Sequence, residues 1–252
     1  MLPLSTFRRG MVPLAFVLAL VSACASPSAE PSASPSISPS PAATPTPPPP
    51  TADEIIDMFL ALVLDEQFTF HIVVSGTMAA TQGETRENIT LGMDMDVRGA
   101  DGVGDALVDV GPGEVTLRML IVDGRAYVDD DGTWSEIPGY QSTTPLNPFF
   151  RLSGPGDLSY EGLIRRSGEV TRHLRSLVWM GGDISELEAQ GWTEVAIEES
   201  QSDIFVDETG SPVAMDFRGV FTGFYEGVPT SFDFDVVYEF SNVGEPVVLP
   251  EP

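Results

Sequence analysis

Few side chains in this sequence carry chemistry of their own. Cys24 is the single cysteine. It closes the stretch Val21-Ser22-Ala23-Cys24, behind an apolar run from Met11 to Val21 and the pair Arg8-Arg9. With no second thiol it has no intramolecular disulfide partner, so its use must be covalent or incidental. There are two histidines. His71 alternates onto the wet face of a predicted strand, which is a surface position. His173 lies between Arg172 and Arg175, an unfavourable place for a metal cation. Asp129-Asp130-Asp131-Gly132 has carboxylates for calcium but lacks the EF-hand spacing, and it is read as an acidic turn. Asn88-Ile89-Thr90 matches a glycosylation acceptor inside a predicted strand and is discounted. A Ser-His-Asp triad is recognised by geometry, yet the sequence has no Gly-x-Ser-x-Gly elbow. The expectation is a protein that is not an enzyme and has no metal or cofactor.

The elements around Cys24 give it a purpose. A positive start, a short apolar core and small residues before a cut site make a secretory signal peptide over residues 1–23. The run is too short for a permanent transmembrane helix. A branched apolar residue, two small residues and Cys resemble the lipobox of bacterial lipoproteins. That resemblance implies a diacylglycerol thioether on Cys24, cleavage before it and N-acylation, leaving the chain on the outer side of a cell membrane. Residues 24–50 follow as a tether of Ala, Ser, Pro and Thr ending in Pro47-Pro48-Pro49-Pro50. Such a composition builds no core. In extended polyproline form it spans roughly 80 Å at ~3.1 Å per residue.

Every basic residue is Arg, and the 12 of them face 38 acidic residues. Loss of Arg8 and Arg9 with the signal takes the formal net charge from −26 to −28. This argues against nucleic acid and against adhesion to anionic lipid headgroups.

The folded domain, residues 51–252, starts at a capping-box pattern, Thr51 with Glu54. A helix is predicted from Ala52 to about Asp65, with Ile55, Phe59, Leu62 and Val63 on one face. Alternating segments follow. Phe68, Phe70, Ile72 and Val74 form one dry face, and Ile89, Leu91, Met93, Met95 and Val97 another. Val103 to Val110 is a third strand. Val115, Leu117, Met119 and Ile121 lead to an Asp123-Gly124 hairpin turn and then to Trp134. Pro138 to Gly168 is read as short helices or an ordered loop crossing the sheet. Val170 to Trp179 is read as strand, and Ile184 to Gln190 as a short helix. Strands are then predicted at Thr193 to Glu199, Asp203 to Val206 and Val213 to Phe221. The last carries Phe232, Phe234, Val236, Tyr238 and Phe240 on one face.

Long half-wet strands with few helices predict a mainly β (α+β) fold, a curled antiparallel sheet forming a half-barrel with helices on its concave face. The order of features is similar to the LolA-like lipoproteins, in particular the LppX/LprAFG branch. The features are the lipobox, the Pro/Ser linker, a helix before a Phe-Thr-Phe strand, Asp123-Gly124-Arg125-Ala126-Tyr127-Val128 with Gly132-Thr133-Trp134, and the tail from Tyr238 to Val247. The resemblance implies a half-barrel closing a hydrophobic cavity and carriage of lipids or lipidated molecules through the cell envelope. The candidate lining is Phe70, Ile72, Ile89, Leu91, Met93, Met95, Leu117, Met119, Met215, Phe217, Phe232, Phe234 and Val236, with the Leu146 to Ile164 segment as a movable lid. The expected partners are a lipid in the cavity and the membrane through Cys24, with the domain a monomer. The second reading is a surface adaptor or envelope sensor on the same scaffold, favoured if side chains fill the concavity.

Overall fold

The computed structural model describes residues 49–110, 114–138, 146–166, 168–180, 184–189 and 191–252. The signal, the Cys24 lipobox and most of the tether lie outside the described residues. Helix α1 (Ala52–Val63) begins where the capping box places it. Glu54 N donates to Thr51 Oγ1 at 3.3 Å, and Thr51 N donates back to Glu54 Oε2 at 2.7 Å. The helix stops two residues before the predicted end. Asp65 N turns back onto the Leu62 carbonyl, and its carboxylate accepts from Gln67 N at 2.8 Å, an Asx turn that competes with further helix.

The strands are β1 (Thr69–Gln82), β2 (Thr85–Arg98), β3 (Asp101–Val110), β4 (Glu114–Val122), β5 (Arg125–Asp130), β6 (Thr133–Glu136), β7 (Ser159–Arg166), β8 (Glu169–Ser176), β9 (Trp192–Val206), β10 (Pro212–Tyr225) and β11 (Val228–Ser241). A short α2 (Ile184–Ala189) precedes β9. All join one 11-stranded sheet in the order β6-β5-β4-β3-β2-β1-β11-β10-β9-β8-β7. Every pairing is antiparallel. The sheet is not closed: β6 and β7 are its free edges. It is the half-barrel that the alternation predicts. Two meanders, β1–β6 and β7–β11, share the β1–β11 seam. At the β4–β5 turn Asp123 and Gly124 have φ of 52° and 73°, the left-handed pair that a two-residue hairpin requires.

This topology explains the irregular middle of the chain. The connection from β6 to β7 must travel from one free edge to the other. It crosses the dry face and is buried there through Phe149 and Leu152. Two expectations are corrected. Ser159–Arg166 is an edge strand, not part of a crossing lid. Its alternation is broken by a bulge between Tyr160 and Gly162, and Leu163 is 66% exposed. The two strands predicted between Thr193 and Val206 are a single β9. Opposite Val220/Phe221 and Thr222/Phe224 of its partner, β9 carries an extra residue that shifts the pairing, so the polar run Glu198 to Ser202 reads as a loop although it stays in the sheet.

Candidate functional site: the concave face and its two covers

Paired positions on neighbouring antiparallel strands point to the same side. One transverse row therefore runs Ala106, Met93, Val74, Tyr238, Met215, Ile204 and Leu174, from β3 to β8. Two rows along, Ile89, Met78 and Phe234 come together. Of the predicted lining, Phe70, Ile72, Ile89, Leu91, Met93, Met95, Met119, Met215, Phe217, Phe232, Phe234 and Val236 fall in one continuous apolar cluster, each at 9% exposure or less. Leu117 is half-buried against it. The structure thus places all the predicted residues on one wall.

Two covers lie on that wall. The first is α1 with the crossing segment. Helix α1 buries Ile55, Ile56, Phe59, Leu60 and Val63. Phe149 meets Phe59 edge-on at 5.1 Å and stacks on Phe240 at 5.3 Å. Asn147 fixes this arrangement from a buried position. Its Nδ2 donates to the Val63 carbonyl at 2.7 Å, and its Oδ1 accepts from Phe149 N at 3.0 Å. The orphan carbonyl at the helix end and the loop backbone are satisfied by the same side chain. Leu146 lies on Gly102, where a Cβ would come within 2.6 Å of Leu146 Cδ1.

The second cover is the strap after β8. Trp179 stands edge-on to Phe217 at 5.5 Å, Phe221 at 6.1 Å and Phe234 at 6.2 Å. The floor beneath its ring is Gly219, where a Cβ would be 2.5 Å from Trp179 Cζ3. Met180 and Leu187 are buried beside it. The backbone of the strap is held at Val178. Its N–H donates to Ser176 Oγ at 3.1 Å, and its carbonyl accepts from Ser200 Oγ at 2.9 Å. Ser202 Oγ, on the same wall opposite Phe217 and Ser176, is buried and has no hydrogen-bond partner among the described residues. Below, Trp192 meets Phe221 edge-on at 5.4 Å and Phe221 stacks on Phe232 at 5.1 Å.

Sequence reasoning missed Trp179 as a cover because it extended β8 through it. The available signal was Leu177-Val178-Trp179-Met180, four apolar residues in succession, which break the alternation ahead of two glycines. Met78, Phe240 and Trp192 also belong to the wall.

The convex face holds the charges. His71 Nδ1 lies 3.0 Å from Asp96 and its Nε2 3.3 Å from Asp94. His173 meets Asp203 at 2.7 Å, and Arg175 Nε donates to the same oxygen at 2.9 Å. Burial would raise the Asp203 carboxyl, but hydrogen bonds from Gln201, His173 and Arg175 outweigh it and hold the group below the usual carboxylate range. Arg166 grips Asp216 with two bonds of 2.7 Å while its guanidinium covers Phe205 at 4.3 Å. His173 stacks on the same ring at 5.1 Å. These are ion pairs that clamp β7–β10. Among the described residues no group of three or more His, Cys, Asp or Glu is placed to hold a metal. Asn88 is exposed within β2, and Asp129 turns the chain by accepting from Gly132 N at 2.6 Å.

No family model matches the chain, and no curated protein does. Solved structures similar to it include LprF from Mycobacterium bovis, 14% identical with a TM-score of 0.44 over 80% of this chain and 96% of that one. The lipoprotein LppX of Mycobacterium tuberculosis is 14% identical with a TM-score of 0.41, over 78% of this chain and 96% of that one. A LolA superfamily protein from Nitrosomonas europaea is 13% identical with a TM-score of 0.25, over 79% and 95%.

Proposed function

We propose that this protein is a lipid-anchored, extracytoplasmic lipoprotein of the cell envelope that takes acyl chains into the concave face of its half-barrel, without catalysis. The observation that carries the reading is the continuous apolar wall whose second cover is a strap, not a packed layer. Among the described residues one indole over a glycine, two serine contacts to Val178 and the buried Met180 and Leu187 hold it down. Lifting that strap would uncover Phe217, Phe221 and Phe234 together with the Ser176, Ser200 and Ser202 hydroxyls. Apolar walls with a few fixed polar groups suit a lipid's chain and ester end. Uptake would be driven by apolar burial at ~25 cal/mol per Å², so chain length should matter more than headgroup.

The test is native mass spectrometry of the protein from its own host, with titration of a fluorescent acyl probe. Saturable binding that tightens with chain length is expected. No bound lipid and no saturable binding would overturn the carrier reading. Cys24→Ser should release the protein from the membrane fraction; unchanged fractionation would overturn the anchor.

A second reading has an observation of its own. The lining is already buried by the chain's own side chains, as a permanently filled core would be. In that case the half-barrel is an adaptor that presents its outer surface to another protein. Met93→Trp, which fills space at the 9% exposed edge of the wall, separates the two. It should weaken probe uptake in a carrier and leave an adaptor's partner binding unchanged.

A further inference from the structure

The concave wall does not end at its covers. At the β7–β8 edge it continues into solvent. Leu163 stands opposite Arg172, and Arg165 opposite Val170. These four side chains share one face, since cross-strand partners point to the same side. Arg172 is opposite Val206 of β9, and Leu174, two residues on, is opposite Ile204. Val206, Ile204 and Leu174 are fully buried members of the concave wall. The four-residue face is therefore the wall's outer margin, shared by β7, which pairs on one side only, and its neighbour β8. Its aliphatic members are open to water: Leu163 is 66% and Val170 53% exposed, and Leu177, just past β8, is 71% exposed. Adjacent exposed aliphatics at a sheet edge mark a contact surface.

The charge of this corner is opposite to the rest. The chain as a whole is at −26, yet residues 159–177 hold four Arg against Glu161 and Glu169. Arg166 and Arg175 are taken up by Asp216 and Asp203. Arg165 donates to the Gly168 carbonyl, at 3.1 Å, and among the described residues neither Arg165 nor Arg172 has a carboxylate in ion-pair range. Two uncompensated guanidinium groups interleaved with two exposed aliphatics complement one kind of surface: anionic headgroups above hydrocarbon. Arginine binds phosphate oxygens as a fork, and an aliphatic side chain between such groups reaches the acyl boundary.

We propose that the face formed by Leu163, Arg165, Val170 and Arg172 docks the open edge of the half-barrel onto an anionic lipid surface. The acidic remainder is repelled by that surface, so the patch sets orientation as well as adhesion, with the free edge toward the bilayer. Each Arg contributes about a fivefold gain in partitioning near an anionic membrane. A tether of the kind read at residues 24–50 would hold the domain at high local concentration, and so weak a contact would suffice. The inference is independent of whether the concavity takes up a chain.

The experiment uses the chain from residue 24 carrying Cys24→Ser, so that no anchor contributes, in vesicle co-sedimentation at low salt. Binding to phosphatidylglycerol-rich vesicles and little to pure phosphatidylcholine is expected, with loss on adding salt. Arg165→Gln with Arg172→Gln should lower partitioning by about 25-fold. Leu163→Asp should lower it as well, while Arg86→Gln, on a distant exposed strand end, should not. These positions are exposed or free of ion pairs, so a thermal melt should report intact folding in each variant. Absent vesicle binding, equal binding to both lipids, or binding unchanged in the double variant overturns the proposal. Capture of a protein on the free β7 edge without vesicle binding overturns it in favour of strand addition.

Discussion

The two covers of the concave face are built on different principles. Under α1, Phe149 is fully buried, and Asn147 satisfies the helix end and the loop with a single amide. Three layers are thus tied into one unit: helix, crossing segment and sheet. Over β10, Trp179 is only half-buried, and among the described residues its strap meets the sheet through serine contacts to Val178 and through the buried Met180 and Leu187. Both covers place a side chain on an inward glycine, Leu146 on Gly102 and Trp179 on Gly219. The first is part of the core. The second is a plug, because its ring stays half in solvent whereas Phe149 is fully buried. Local stability is expected to follow buried contacts and satisfied backbone groups, and the ligand-responsive part of a molecule comes from its weaker end.

Substitutions should separate the two. Phe149→Ala removes a ring from the interior of the first cover and should cost about 3–5 kcal/mol, read as a lowered denaturation midpoint with loss of cooperativity. A near-neutral result would show that cover to be dispensable. Asn147→Ala leaves the Val63 carbonyl and Phe149 N–H unsatisfied and should cost about 2 kcal/mol; hydrogen exchange should speed up at the end of α1 before the sheet is affected. Trp179→Ala should be milder, about 1–2 kcal/mol, since the ring is half in solvent. Its main effect should be functional, a rise in uptake of a fluorescent acyl probe that Phe149→Ala does not share. Equal uptake in the two variants would break the comparison. Gly219→Ala should imitate Trp179→Ala by displacing the ring while leaving it in the chain, seen as a red shift in tryptophan emission.

The smallest expected effect is on acid stability. Asp203 is held below its ordinary value of 3.8. A carboxyl depressed by folding stabilises above the unfolded value, and that contribution is lost as pH falls through the folded one. The clamp of β8 and β9 should therefore loosen only below about pH 4. Asp203→Asn should flatten that limb of the stability profile, and an unchanged limb would remove Asp203 from the acid response.

Sequence alone determined more of the sheet than of its covers. Uninterrupted alternation at Ile89 to Val97 and Phe232 to Phe240 settles strand, face and burial, because a one-residue slip would turn every apolar side chain to water. The capping box settles where α1 begins, since Thr51 and Glu54 satisfy each other locally. The tertiary structure decided the rest. Trp179 became a cover only through Gly219, forty residues away in sequence. Phe149 became core only because the β6-to-β7 connection has to cross between the two free edges. Ser159–Arg166 became a strand by pairing with β8, against a local pattern that a bulge had broken. The charge of the chain, read as a total, gave no sign of a cationic margin on an acidic protein. A total is blind to position, whereas ion pairing consumes Arg166 and Arg175 and leaves Arg165 and Arg172 at the edge. Local periodicity is written in neighbouring residues, but the partners of a nonlocal contact are chosen by the fold as a whole.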